Sequence, residues 1–211
     1  LQIADGRIAA IDPGRTAVPG AVDCEGDTVI PGLVELHTDH LEAHYAPRPK
    51  VRWDPLAAVQ AHDVQVAGSG ITTVLDALRL GMDEDERMLA RDARTLADAI
   101  ARAGADGRLR ADHFVHLRCE VAAADLEAAW DFFAPDGRVR LVSLMDHTPG
   151  QRQFTSLEAY KVYYQGKTGM DDAAFAAFVA ARQESGAANA ARNSPAIAAR
   201  ARAAGYVLAS H

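Results

Sequence analysis

Pro31-Gly32-Leu33-Val34-Glu35-Leu36-His37-Thr38-Asp39-His40 is a turn signal followed by an apolar run that ends in polar side chains. Pro-Gly punctuates the chain, and the residues after it suit a buried strand. Side chains two apart share one face of a strand, so His37 and Asp39 are expected to point the same way from its C-terminal end. An imidazole and a carboxylate aimed at one point make a mixed nitrogen and oxygen site for a divalent cation. The plainer reading is a strand with two polar end residues. Paired ligands on so apolar a strand are costly without a use, which favours the metal reading.

Before this stretch, Gln2 to Ile11 reads as a β-hairpin, because Asp5-Gly6 supplies a turn with positive φ between two short strands. A further short strand is expected near Thr28 to Ile30, so residues 1–30 form a small, partial β domain. From residue 31 to 211, strand and helix patterns alternate. Strands are expected at Leu33–Asp39, Ile71–Leu78, Phe114–Val121, Val139–Asp146 and Tyr206–Ser210. Asp54 is a fitting N-cap with Pro55 in the first helical position, for a helix running to Gly68. Helices are also expected over Asp83–Arg102, on the face marked by Leu126, Ala129, Trp130 and Phe133, and around Phe175, Phe178 and Val179. A long polar loop should follow the fourth strand, and Ser194-Pro195 should start a last helix that stops at Gly205.

Regular βα alternation implies an α/β fold with parallel strands and right-handed helical crossovers. Two architectures fit, an open doubly wound sheet or a TIM-like (β/α)8 barrel. No Gly-x-Gly-x-x-Gly or Gly-Lys-Ser/Thr loop follows the first strand, which weakens the nucleotide-binding sheet. A full barrel needs about 250 residues. About five strands fit in these 211 residues and the last breaks off at His211, so the chain is expected to be the N-terminal part of a longer polypeptide, with the C-terminal strands absent.

The composition is that of an ordinary globular protein, 49% apolar and 24% charged. A net charge of −7 argues against nucleic-acid and anionic-membrane partners, which need a basic surface. A phosphorylated small molecule is still compatible, because a local basic pocket can sit in an acidic protein. Cys24 and Cys119 make neither a disulfide framework nor a zinc ribbon, which sets a reducing cytoplasm as the expected location. No run of apolar residues reaches membrane-spanning length, and no signal peptide is visible. The oligomeric state, including a homo-oligomer, is left open.

In a parallel α/β fold the site forms at the C-terminal ends of the strands. There the third strand reads His116-Leu117-Arg118-Cys119-Glu120, with His116, Arg118 and Glu120 on one face. Glu120 is a further ligand candidate; equally, it forms a buried salt bridge with Arg118. His147, after the fourth strand, is either a ligand or proton donor or a solvated loop histidine. His211, at the end of the fifth strand, is a ligand candidate by position, although a terminal residue can simply fray. Arg48, Lys50 and Arg52 follow the first strand, and Arg152, Lys161 and Lys167 the fourth. These cations suit phosphate oxygens, although each alone is a common surface charge. His40, His44, His62 and His113 receive no role.

Further segments carry a resemblance. Pro31-Gly32-Leu33 through His37-Thr38-Asp39 resembles the first-strand motif of the amidohydrolase superfamily, with Asp39 where a second histidine is usual. Thr38–Glu42, Pro47-Arg48-Pro49, Gly70–Ala77, His116–Glu120, Leu141–Phe154 and Tyr163–Lys167 are similar to the PhnM-type diphosphatases of the carbon–phosphorus lyase pathway. The resemblance implies a (β/α)8 barrel with a small β domain. It implies a metal-dependent hydrolase of phosphonate metabolism that releases diphosphate from α-D-ribose 1-methylphosphonate 5-triphosphate. It further implies one or two divalent ions, zinc first and manganese, iron or magnesium as alternatives, held by His37, Asp39, Glu120 and His211. His147 is then the catalytic histidine, and Arg48, Lys50, Arg118, Arg152 and Lys167 bind the substrate. Two other readings remain at this stage: hydrolysis of a cyclic amide or N-acetyl group, and a metal-free binding or scaffold protein.

Overall fold

A computed structural model describes residues 1–48, 50–81, 89–133, 135–148 and 156–210, with side chains omitted at 159, 163, 167 and 168. The chain divides into two compact units, Leu1–Pro31 and Gly32–His211. In the first, strands β1 (Gln2–Ala4) and β2 (Arg7–Ala10) pair antiparallel, with Ala4 opposite Arg7. The turn between them is Asp5-Gly6, both at positive φ (51° and 70°), the pair a tight two-residue hairpin demands. No strand forms at Thr28–Ile30, where the apolar pattern suggested one. Val29 and Ile30 are exposed, so burial supplies nothing to hold an extended pairing.

The second unit is α/β. Its elements are β3 (Leu33–Thr38), α1 (His40–Tyr45), α2 (Pro55–Gly68), β4 (Ile71–Leu80), α3 (Ala90–Ala105), β5 (Asp112–Glu120), α4 (Leu126–Phe133), β6 (Val139–Met145), α5 (Leu157–Thr168), α6 (Asp172–Ala203) and β7 (Val207–Ser210). The strands form one parallel sheet in the order β3-β4-β5-β6-β7. This order lacks the reversal that a doubly wound sheet makes at its switch point and is consistent with part of a TIM-like fold. The sheet curls as a half-barrel with the helices on its outer face.

Alternation sorts each strand between the two faces. Leu78 and Leu80 of β4, Val115, Leu117 and Cys119 of β5, and Val142 of β6 turn outward into one apolar core with Val59 of α2, Leu96 and Ile100 of α3, Leu126 and Phe133 of α4, and Ile197 of α6. Each such side chain, fully buried, stabilises by about 1.5–3 kcal/mol. Helix α2 starts as the sequence indicates: the Asp54 carboxylate accepts from the Ala57 N–H at 2.8 Å, and Pro55 occupies the first turn. Its buried face includes Val59, His62, Asp63 and Val66. Asp63 accepts from the backbone N–H groups of Arg110 (2.9 Å) and Ala111 (3.0 Å), fixing the loop that enters β5.

Three further local expectations are corrected. Strand β3 is an edge strand and not a buried one: Leu33, Val34 and Leu36 are about half exposed, since only β4 flanks it. Its pairing begins at Leu33, whose N–H donates to the Gly70 carbonyl at 2.9 Å; at the preceding Gly32 a Cβ would fall 2.2 Å from the Thr72 side chain, so glycine lets the two backbones close. The six residues after Asp39 form helix α1, and part of the expected polar loop after the fourth strand is helix α5. Pro195 does not begin a helix but lies inside the 32-residue α6. An interior proline costs about 3 kcal/mol. Contacts on both sides of it offset that cost. Gly186 packs on Thr148, and the Asn193 amide donates to the carbonyls of Val121 (2.9 Å) and Ala123 (2.8 Å). Ile197 and Ala201 are fully buried.

Asn193 satisfies two buried carbonyls at the end of β5. Asn193→Ala is expected to lower the unfolding free energy by about 1–3 kcal/mol, seen as a shifted urea midpoint at unchanged slope. A midpoint equal to that of the wild type would show that α6 does not depend on this contact.

Candidate active site

The inner face of the sheet carries the polar residues. Register places Arg79 of β4, Arg118 of β5 and Ser143 of β6 side by side, one row nearer the strand ends than Ala77, His116 and Leu141. Glu120 ends β5 beside Met145. His116, nearly fully buried, reaches across the concave surface. Its Nδ1 lies 3.0 Å from the Leu36 carbonyl of β3 and its Nε2 lies 2.8 Å from Ser143 Oγ of β6. A carbonyl can only accept, so Nδ1 carries the proton and Nε2 accepts from the serine hydroxyl. The His37 ring meets that of His116 edge-on at 5.0 Å.

Two strand-end acids, Asp39 after β3 and Glu120 on β5, each hold a basic side chain. Asp39 sits at the N-cap position of α1, and its Oδ1 accepts from Arg118 Nη1 at 2.5 Å and lies 3.7 Å from His37 Nε2. Glu120, 1% exposed, accepts from the backbone N–H of His147 at 3.1 Å and pairs with the His147 ring through Nδ1. Arg79 Nη2 lies 3.8 Å from the same carboxylate. Arg118 therefore pairs with Asp39 and not with Glu120, and His147 is a held side chain, not a solvated one. Burial alone would raise the Glu120 carboxyl, but the hydrogen bond and charge of His147, with the charge of Arg79, bring it below the usual glutamate value. Burial and the nearby Arg118 charge depress the His37 imidazole. Glu42, on α1, goes the other way. Burial pushes its carboxyl up to about 7, against the hydrogen bond it accepts from the Arg79 N–H at 3.1 Å.

Of the remaining expected residues, those described lie apart from these pairs. Arg48 and Lys50 are exposed on the segment after α1. Arg52 pairs with Asp92 of α3 at 3.4 Å, and Lys161 with Asp172 at 2.9 Å. Arg152, His211 and the Lys167 side chain fall outside the described residues. Arg79 and Glu42 are the site residues that sequence reading missed. For Arg79 the signal was present: counting by twos from Leu75 and Ala77 places it on the inner face.

His37, Asp39 and Glu120 offer one nitrogen and two carboxylates, a donor set suited to zinc or manganese. They all face the concave side, but their donor atoms do not all lie within 4.8 Å of one another, so an ion there would have to draw them together and share its acids with Arg118 and His147. Among the described residues, however, the group whose donor atoms lie within 4.8 Å of one another is a different one, buried His62, Asp76 and His113, which could hold a metal ion. It sits between α2 and the outer face of the sheet, where sequence reading assigned nothing.

Among curated proteins, the chain is 40% identical over 215 residues to the α-D-ribose 1-methylphosphonate 5-triphosphate diphosphatase of Escherichia coli (strain K12). The match covers all of this chain and 56% of that protein, so the chain spans little more than half the length of its relative. The resemblance to the PhnM type is thus shown along the whole chain. No family model matches, and no solved structure matches.

A glutamate that resists ionisation costs stability as pH rises. The folded state binds the Glu42 proton more tightly than the unfolded chain, so stability is lost between the ordinary glutamate range and about pH 7. Glu42→Gln keeps an acceptor for the Arg79 N–H and removes the ionisation. The variant should be more stable than wild type by about 1–3 kcal/mol at pH 8 and no more stable at pH 4, measured by urea unfolding at each pH. An equal difference at both values would exclude Glu42 as the source.

Proposed function

We propose that this chain supplies the metal-binding half of a hydrolase that cleaves a phosphoanhydride bond. In that reading its sheet is the first five strands of a (β/α)8 barrel, and its substrate is α-D-ribose 1-methylphosphonate 5-triphosphate, from which diphosphate is released in phosphonate catabolism. The observation that carries the reading is the pairing of acids with basic side chains across the strand ends: Asp39 with Arg118, and Glu120 with His147 and Arg79. A triphosphate needs acids to hold a metal and cations to offset its own charge. A neutral amide needs few of the latter, so the two inward arginines weigh against an amidase. The identity to the Escherichia coli diphosphatase supports the same substrate class.

His37, Asp39 and Glu120, with His211, would hold the divalent ion, zinc first. Such an ion supplies an activated water at neutral pH and draws charge from phosphoryl oxygens. Burial and Arg118 keep His37 in its neutral form, the form that can donate a lone pair. Asp39 fixes the Arg118 guanidinium, which with Arg79 faces phosphate oxygens as charge develops on the departing diphosphate. Arg48, Lys50, Arg152 and Lys167 would add further positive charge for the substrate. Glu120 fixes the His147 ring through Nδ1, so proton exchange with the leaving group falls to Nε2.

In the full-length enzyme, His37→Ala should abolish metal-dependent diphosphate release, and Arg118→Ala should raise the KM for the triphosphate about tenfold to a hundredfold, the effect of one charged hydrogen bond. Steady-state assays of diphosphate release check both. Turnover unchanged in His37→Ala would sink the proposed role.

A further inference from the structure

We infer that His62, Asp76 and His113 form a second divalent-cation site, on the helix side of the sheet and separate from the strand-end acids. The three donors come from three elements, α2, β4 and β5, and each residue is at most 3% exposed. His62 Nε2 lies 2.8 Å from Asp76 Oδ1, and His113 Nδ1 lies 2.8 Å from Asp76 Oδ2. One carboxylate thus stands between two imidazoles, and a donor atom from each lies within 4.8 Å of the others. The far nitrogen of His113 is already oriented: Nε2 lies 3.2 Å from Asp63 Oδ1. A carboxylate behind an imidazole is the usual outer partner of a metal-binding histidine, because it fixes the tautomer and raises the basicity of the nitrogen facing the ion.

Charge favours the same assignment. Both His113 nitrogens face carboxylates, so with protons alone this ring is an imidazolium between two anions. Among the described residues the buried His62 Nδ1 has no hydrogen-bond partner, which suits a bare nitrogen with the ring proton on Nε2, facing Asp76. Two carboxylates and one imidazolium leave one negative charge in a fully buried pocket, a costly remainder. A dication balances it. On binding, the Nδ1 proton of His113 leaves to solvent, the His62 proton moves from Nε2 to Nδ1, and His113 keeps its Nε2 proton, donated to Asp63. The cluster is then neutral, with two nitrogens and one carboxylate on the ion. A water or the second Asp76 oxygen completes the coordination. Such a buried site fills as the protein folds and ties α2 to the centre of the sheet.

The test uses full-length protein carrying His37→Ala and Glu120→Gln, which removes the strand-end ligands and so separates this inference from the proposed catalytic site. Purified from zinc-supplemented cells and dialysed, that protein should retain about one zinc per chain by elemental analysis. Adding His62→Gln should bring the metal to background. Cobalt taken up in place of zinc should give visible absorption bands that the added substitution removes. Should the His62 variant fail to fold, anomalous diffraction at the zinc edge of the parent protein decides: a peak between His62 and His113 is expected. Protein without retained zinc, retention unaffected by His62→Gln, or a peak elsewhere would each overturn the site and leave a network bridged by protons alone.

Discussion

A parallel sheet whose strands follow chain order has its helices on one side, and that constraint governs everything else in this protein. Period-two alternation then divides each strand into two functions. On β5 the odd positions, Val115, Leu117 and Cys119, join the apolar core, while the even positions, His116, Arg118 and Glu120, face the concave side. A shift of one residue would drive three ionisable groups under the helices. The register is therefore fixed by the cost of burying charge as firmly as by the gain from burying apolar surface.

Grouping ionisable residues on a concave surface imposes its own rule, that each needs a partner. The partners found here cross between strands. Asp39 reaches Arg118, Glu120 reaches His147 and Arg79, and His116 spans from β3 to β6. Those links set the spacing of the strand ends, so the scaffold and the candidate site are stabilised by the same contacts.

Much of the fold was legible because its signals are local. Asp54-Pro55 announces α2, Asp5-Gly6 announces the hairpin, and the 3.6-residue pattern of Leu96 and Ile100 announces α3. The failures come from contacts distant in sequence. Pro195 looks like a helix start until Gly186, Asn193 and Ile197 are seen to anchor the helix on both sides of it. The candidate site was half legible. Alternation placed His37, Arg118 and Glu120 correctly on one side, but it could not show that Arg118 would choose Asp39, since that choice rests on the turn into α1. The outer cluster left a trace that went unread: Val59, His62, Asp63 and Val66 recur at helical spacing, so both polar residues had to point inward with the valines.

The contact between Gly186 and Thr148 has a consequence for which parts of the protein are free to vary. A methyl group at position 186 would stand 2.6 Å from Thr148 Oγ1, and Thr148 adjoins His147 in the chain. Bulk added to α6 at this point would press on the threonine next to the imidazole that Glu120 holds. Selection on the chemistry of the concave side thereby extends to a residue of α6 that carries no functional group at all.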